Sequence, residues 1–433
     1  MAPIKVALCT YSCGQENGIA HIDAALAKGV DRDFFRVKTF VLRGDLPAGR
    51  VEAADGATHV GLADAYSFLC EQLREADLLH VNGAFDPVAC NAASSAGVPA
   101  IVEVMHQVEA GGLHPGIDLV VCVSELVRAE QAHARSLVIH NGIDTERFSF
   151  RPGRRDSARV RIVQAANASK AVHWELGDIL ADLTDPGVDG LMVGGRKSVA
   201  GLPALGVVAD MPSIYHGADL LFLVERRAAF GLIFAEGMAC GTLPVVSGDS
   251  GATAFVRHGR SGWVVTGPES RARTLEVLRR AVDAVAEPRF AAMQLAARAT
   301  IERKFSLERM LRSYQALYSV LGRRPRKKPI RAAAWMELAL CAQLYVHNNP
   351  DSLTALERYL AETRPLEPYF PRHPVGNAAL YIILRHVCPD LLQKGHAPLA
   401  SLLCSRLRRS GCAHPLLDDV ENSLRGRTCP PPA

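Results

Sequence analysis

Two successive series of short, apolar, β-branched runs constrain this chain more than any other feature. The first series is KVALCTY, FRVKTFVL, ADLLHVNG, VPAIVEVMH, IDLVVCVS and RSLVIHNG, with helix-like segments such as AYSFLCEQLREA and DPVACNAASSAG between its runs. Continuous apolar strands belong to parallel sheets covered on both faces. Their alternation with helices predicts a doubly wound sheet that takes ligands at the carboxyl ends of its strands. After the Gly, Pro and Arg-rich connection HNGIDTERFSFRPGRRDSA the alternation restarts in VRIVQAAN, GLMVGG, LGVVA, DLLFLVE, LPVVSG and GWVVTG. An α/β fold of two Rossmann-like domains facing a cleft is therefore expected, and such a cleft suits a nucleotide-bearing ligand.

Beyond Gly267 the pattern turns helical, and the segment GRRPRKKPIR then places six basic residues around two prolines. Like-charge repulsion and proline predict a linker here, with a solvated spacer as one use and attachment to anionic lipid as another. From Ala332 onward the reading is an all-helical appendage. The expected organisation is a first domain over 1–145, a second over 146–321 with closing helices, a basic linker over 322–331 and the appendage over 332–433. A formal charge of +4 over 433 residues is too small to make nucleic acid the main partner. The eleven cysteines sit in apolar runs without paired Cys-x-x-Cys spacing, which suits buried thiols in a reducing compartment and gives no structural zinc site. No uncharged run approaches the ~18 residues of a membrane span. A cytoplasmic protein is expected, peripheral to a membrane if the basic linker meets lipid.

Two motifs narrow this reading: VIHNGIDTERF at the crossing between the domains, and AFGLIFAEGMACGTLPVV in the second. Together with the paired Rossmann-like domains they resemble the GT-B fold glycosyltransferases of family 4, over roughly residues 1 to 320. The resemblance implies a retaining enzyme that uses a nucleoside-diphosphate sugar as substrate, with no cofactor and no metal. The acceptor it implies is a hydroxyl on a glycan, a lipid or a small molecule.

Phe230, Gly231 and Leu232 read as a turn into a helix, whose free N–H groups and positive dipole end favour a diphosphate. Glu236 matches the second acid of the family's Glu-x7-Glu motif and would accept hydrogen bonds from the ribose hydroxyls. The first acid of that motif falls on Ala228. Glu225 lies three residues earlier; it either points into the cleft in place of the lost acid or pairs with Arg226 or Arg227. Of the family's Arg and Lys that neutralise the leaving diphosphate, the lysine is matched by Lys170 and the arginine falls on Ala165. Arg196 or Lys197, in GGRKS, would supply the missing charge across the cleft or remain a solvated pair. His106, ending VEVMH, matches a histidine that reaches the donor sugar, with a core histidine as the alternative. His80 also matches a common family position, with packing at the sheet edge as the alternative. Gly14 and Gly18 would let the first βα loop approach the donor phosphates or the acceptor. Gly251, with Ala252 and Thr253, would turn backbone N–H groups toward sugar and diphosphate or merely start a helix, and Ala254 stands where the family has a glutamate.

These residues give catalytic candidates His106, Lys170 and Glu225, and donor-binding candidates Gly14, Arg196, Phe230, Gly231, Leu232, Glu236 and Gly251. Three alanines at family positions keep a second reading open, a catalytically impaired nucleotide-sugar-binding or scaffold protein that recruits a partner, or a second copy, through 332–433. A third, a sugar-nucleotide 2-epimerase, would carry further acids and histidines in the cleft.

Overall fold

The computed structural model describes residues 2–11, 18–43, 50–53, 56–82, 87–108, 116–131, 135–151, 159–165, 176–183, 185, 187–194, 202–224, 227–267, 270–329, 353, 356–357, 383–409 and 415–428. The first half runs β1 (Ile4–Tyr11), α1 (Gly18–Gly29), β2 (Phe35–Arg43), β3 (Arg50–Glu52), β4 (Thr58–Gly61), α2 (Leu62–Gln72), β5 (Leu78–Asn82), α3 (Pro87–Ala96), β6 (Ala100–Met105), β7 (Leu119–Cys122), α4 (Glu125–Ala129) and β8 (Ser136–Val138). Its eight strands form one sheet in the order β3-β4-β2-β1-β5-β6-β7-β8, parallel except where β3 meets β4. Every residue of β5 and β6 is buried. That is the coverage on both faces which unbroken apolar runs predict.

The second half continues with β9 (Val160–Ala165), α5 (Leu176–Leu183), β10 (Val188–Val193), α6 (Met211–His216), β11 (Leu220–Leu223), α7 (Leu232–Cys240), β12 (Leu243–Ser247) and β13 (Trp263–Val265), then α8 (Arg271–Val285), α9 (Arg289–Lys304) and α10 (Leu307–Leu321). The five strands form a parallel sheet in the order β10-β9-β11-β12-β13. In each sheet the order reverses beside the first strand, between β1 and β5 and between β9 and β11. Such a switch point opens a crevice at the carboxyl edge.

The crossing motif ties the halves together twice. Ile143 N–H donates to the Phe305 carbonyl at 2.8 Å and Leu307 N–H returns a bond to the Ile143 carbonyl at 2.9 Å. Only glycine fits at position 142, where a methyl would sit 2.6 Å from the Leu307 Cα. Helix α10 then leaves the second sheet and lies on the first. Gln315 Oε1 accepts from Asp31 N–H at 2.9 Å, and Tyr318 reaches His80 in β5. The last helix of the 146–321 segment is thus part of the first domain's covering layer.

The basic segment after α10 is docked, where charge repulsion alone predicts a spacer. Arg324 and Lys327 pair with Asp118 at 3.2 and 2.5 Å, and Arg326 donates to the carbonyls of Ala76, Leu73 and Ala96. Like charge is offset by one carboxylate and by carbonyls at the ends of helical segments; among the described residues of the cluster only Arg323 and Lys328 are left exposed with neither kind of partner. Further on, a π-helix (Ile383–Val387), α11 (Cys388–Gln393), α12 (Ala397–Arg409) and α13 (Pro415–Thr428) enclose their own small core around Leu391, Leu403 and Leu407, which packs against Tyr66 of α2. Among the described residues no helix is long and apolar enough to cross a membrane.

Asp118 is the keystone of the strap, since its side chain is only 13% exposed and Oδ2 also accepts from Ile101 N–H. Asp118→Asn is expected to lower unfolding stability by about 2 kcal/mol, because hydrogen bonds to a charged group are each worth more than neutral ones. Exposed Arg323→Ala is expected to stay within about 0.5 kcal/mol of wild type. Urea unfolding followed by circular dichroism checks both; equal effects would mean that the strap contributes nothing.

Candidate functional site

The carboxyl edge of the first sheet carries a polar network built from three strands and two helices. Thr10 comes from the end of β1, His80 and Asn82 from β5, and His106 directly follows β6. Asn82 is 4% exposed and is shared by three partners. Its Oδ1 lies 3.1 Å from His80 Nε2 and 3.1 Å from His106 Nε2, while its Nδ2 donates to Asp23 Oδ1 from α1. On the far side of His80, Nδ1 lies 2.6 Å from the Tyr318 hydroxyl of α10. Burial pushes the His80 imidazole down to about 4; burial and then His80 push His106 down to about 3, so both are neutral near pH 7. Burial acts oppositely on the Asp23 carboxyl, raising it to about 7 against the pull of Thr10 and Asn82.

Opposite this edge stands the start of α7. Gly231 caps the helix at φ 84°, a left-handed conformation that glycine adopts without cost. The Leu232 and Ile233 amides that follow have no intrahelical acceptor, as at any helix start. Glu236 lies one turn further on, and the buried Tyr215 hydroxyl of α6 donates to its Oε2 at 3.0 Å. Burial raises the Glu236 carboxyl to about 7, opposed by the Tyr215 bond and by the charge of Arg147. Arg147 belongs to the crossing motif, where Asp144 Oδ1 accepts from its amide at 3.0 Å.

The two surfaces touch. Ser124, after β7, donates to the Ala229 carbonyl, Arg227 pairs with Glu130 at 2.6 Å, and a methyl on Gly18 would meet Leu232 Cδ1 at 2.6 Å. The segment bearing Ala228 is itself packed against residues 250–254. Gly251 N–H donates to the Ala228 carbonyl at 2.7 Å, and a Cβ at Gly251 would lie 2.0 Å from the Ala229 oxygen. The Ala252 and Thr253 amides bond Ser250 at 3.1 Å each.

Of the candidates read from the sequence, the structure therefore places Gly231, Leu232 and Glu236 at the mouth of one surface and His106 on the other. The Phe230 ring is buried among Phe255, Phe305 and His140, with centroids 5.2, 6.0 and 5.9 Å away, so its side chain belongs to the core between the domains. Gly251 supports the Ala228–Ala229 turn from behind. Gly14, Lys170, Glu225 and Arg196 lie outside the described residues. Six polar residues of the site have no sequence forecast: Thr10, Asp23, Asn82, Arg147, Tyr215 and Tyr318. Asp23 had a signal, since it falls on the buried face of α1 beside Ile22 and Leu26, where an acid is costly unless it serves a partner.

Residues 161–282 match the family model described as glycosyl transferases group 1. The chain is 30% identical over 163 residues to the D-inositol 3-phosphate glycosyltransferase of Mycobacterium ulcerans, a match covering 31% of this chain and 35% of that protein. The enzyme of the same name from Mycobacterium tuberculosis is 30% identical over 167 residues, covering 31% and 34%. The chain thus spans about a third of the length of the curated relatives it matches. Among solved structures, a glycosyltransferase from Rickettsia africae superposes with a TM-score of 0.61 at 15% identity, covering 75% of this chain and all of that one. Anabaena HepE in complex with UDP and glucose superposes at 0.56 with 17% identity, covering 73% and 100%. Sucrose-phosphate synthase from Thermosynechococcus elongatus gives 0.55 at 16% identity, covering 73% and 99%. These likenesses establish the fold as GT-B, two facing Rossmann-like domains.

A carboxyl raised in the native state holds its proton where the unfolded chain has already released it. It therefore favours folding at low pH and loses that advantage as pH climbs from the unfolded value toward about 7. His80 and His106, depressed, act in the opposite sense below 6.5, so the comparison must be variant against wild type. Relative to wild type, Glu236→Gln is expected to be more stable at pH 8 than at pH 5 by on the order of 2 kcal/mol. Denaturant midpoints at the two pH values measure this, and a pH-independent difference would contradict the burial of Glu236.

Proposed function

We propose that this chain is a retaining glycosyltransferase of family 4, a hexosyltransferase that moves a sugar from a nucleoside-diphosphate donor to an acceptor hydroxyl. The observation that carries this reading is Glu236, held by Tyr215 one turn beyond the Gly231 helix start, a start that meets the first domain through Leu232 on Gly18 and Ala229 on Ser124. A helix start offers amides and a positive dipole end to a diphosphate, and a carboxylate one turn along offers two acceptors to the vicinal hydroxyls of a ribose. The UDP-bound Anabaena relative, alike in fold, supports a nucleotide in such a cleft.

In the proposed reaction the bond from the anomeric carbon to the β-phosphate oxygen breaks, and the acceptor oxygen bonds that carbon on the same face. The acceptor proton passes to the departing phosphate oxygen, so no side chain has to remove it beforehand. Charge on the leaving diphosphate is met by the α7 start and by Lys170. His106, neutral, orients the transferred sugar. No metal takes part in this scheme.

One observation favours the second reading, a donor-binding protein without turnover. Ala228 is 6% exposed and its carbonyl is bonded to Gly251, so the family's first acid is replaced by a packed turn.

Calorimetry against UDP, GDP and ADP sugars, with assay of released nucleoside diphosphate, separates the two. A transferase is expected to bind one donor class and release its diphosphate slowly. Glu236→Ala is expected to weaken donor binding roughly 10- to 100-fold, the worth of hydrogen bonds to a charged group. Binding with no turnover, even with candidate acceptors, would favour the second reading, and absence of binding would remove both.

A further inference from the structure

The partners of Asn82 admit one arrangement of protons when Asp23 is ionised. A carboxylate only accepts, so the amide must turn its NH2 to Asp23 Oδ1, as the structure has it. Asn82 Oδ1 then faces His80 Nε2 and His106 Nε2 at 3.1 Å each, and both nitrogens must carry hydrogen to bond an oxygen. In a neutral imidazole this leaves Nδ1 bare. For His80 this makes the Tyr318 hydroxyl, 2.6 Å from Nδ1, the donor of that bond. His106 directly follows β6 and is partly exposed, and its own bare Nδ1 is an acceptor.

We propose that Asp23 is a positioning residue which, acting through Asn82, fixes His106 as the Nε2–H tautomer and so presents Nδ1 to the cleft as an acceptor for a ligand hydroxyl. Asp23 is suited to this by its place on α1, where it is 3% exposed and Oδ2 has no hydrogen-bond partner, leaving Oδ1 to hold the amide. The inverse pattern, with every donor and acceptor exchanged, requires a proton on Asp23 Oδ1. Polar groups around the carboxyl are Thr10 and Asn82, with the Tyr314 and Tyr318 hydroxyls nearby. None is cationic.

The chemical class selected follows, and this step rests on the transferase reading above. An unprotonated nitrogen accepts from a hydroxyl and has nothing to give a carboxylate, so His106 favours a neutral hydroxyl-bearing sugar over one oxidised to a uronic acid at the contacted position.

The first test needs no variant and no ligand. Nitrogen-15 NMR of the full chain labelled in histidine, at pH 8 where Asp23 is ionised, with His106 assigned by His106→Gln, is expected to show His106 protonated at Nε2 and bare at Nδ1. A proton on Nδ1, or an imidazolium, would overturn the proposal. In Asp23→Asn, where an amide can face Asn82 either way, both tautomers of His106 are expected; an unchanged tautomer would show that Asp23 does not set it. Tyr318→Phe, which removes only the far partner of His80, is expected to leave His106 as it is.

Binding separates this inference from the function on which its last step rests. Asp23→Asn should weaken binding of UDP-glucose, or of the GDP or ADP sugar if that is the class bound, about tenfold, the value of one hydrogen bond. Affinity for the corresponding free diphosphate should not change. Equal loss of both would assign Asp23 a merely structural role. If wild type binds no nucleotide at all, the transferase reading falls while the NMR result alone decides the relay.

Discussion

The amide of Asn82 is the interaction on which the cleft depends. It joins α1 through Asp23, β5 through His80 and the end of β6 through His106, and His80 passes the connection to Tyr318 of α10. Every member but the partly exposed His106 is buried, and a buried polar group without a partner costs more than a hydrogen bond returns. All of the buried network but Asp23 Oδ2 is accordingly partnered, and those bonds hold the side chains at the edge of the sheet in place. The same cost explains why α10 crosses back: without Tyr318 the inner nitrogen of His80 would be stranded in the core.

The second domain contributes a surface of different character. Its glycine-capped helix and the Tyr215–Glu236 pair offer amides, a dipole end and a carboxylate, which suit phosphate and diol, where the first domain offers a neutral imidazole, which suits a sugar hydroxyl. Ser124 on Ala229, Arg227 on Glu130 and Leu232 on Gly18 hold the two surfaces face to face. In this arrangement the turn at Ala228 acts as a strut between domains, which gives a physical use to a position that has lost the acid expected there.

Much of this was legible in the sequence. Strand and helix alternation announced both sheets, because parallel strands covered on two faces must be continuously apolar, and the helix start at Gly231 was readable from its local chemistry, whereas Glu236 was singled out only through the resemblance of the surrounding motif. Asp23, Asn82, Tyr215 and Arg147 were not, because each is an isolated polar residue whose meaning lies in a partner far along the chain; His80 and Tyr318 stand 238 positions apart. The basic strap misled for a related reason. Charge repulsion within Arg324–Lys327 is visible locally, whereas Asp118 and the carbonyls that offset it are brought there only by the fold.

A crystal structure of the protein with a bound nucleoside-diphosphate sugar tests the central claim most directly. The account predicts the diphosphate at the start of α7, the ribose hydroxyls on Glu236 and a sugar hydroxyl within hydrogen-bond distance of His106 Nδ1. Density for the nucleotide elsewhere, as in the groove of about 450 Å³ lined by Lys5, Arg36 and Lys38 on the first domain, with Glu236 and His106 untouched, would contradict it.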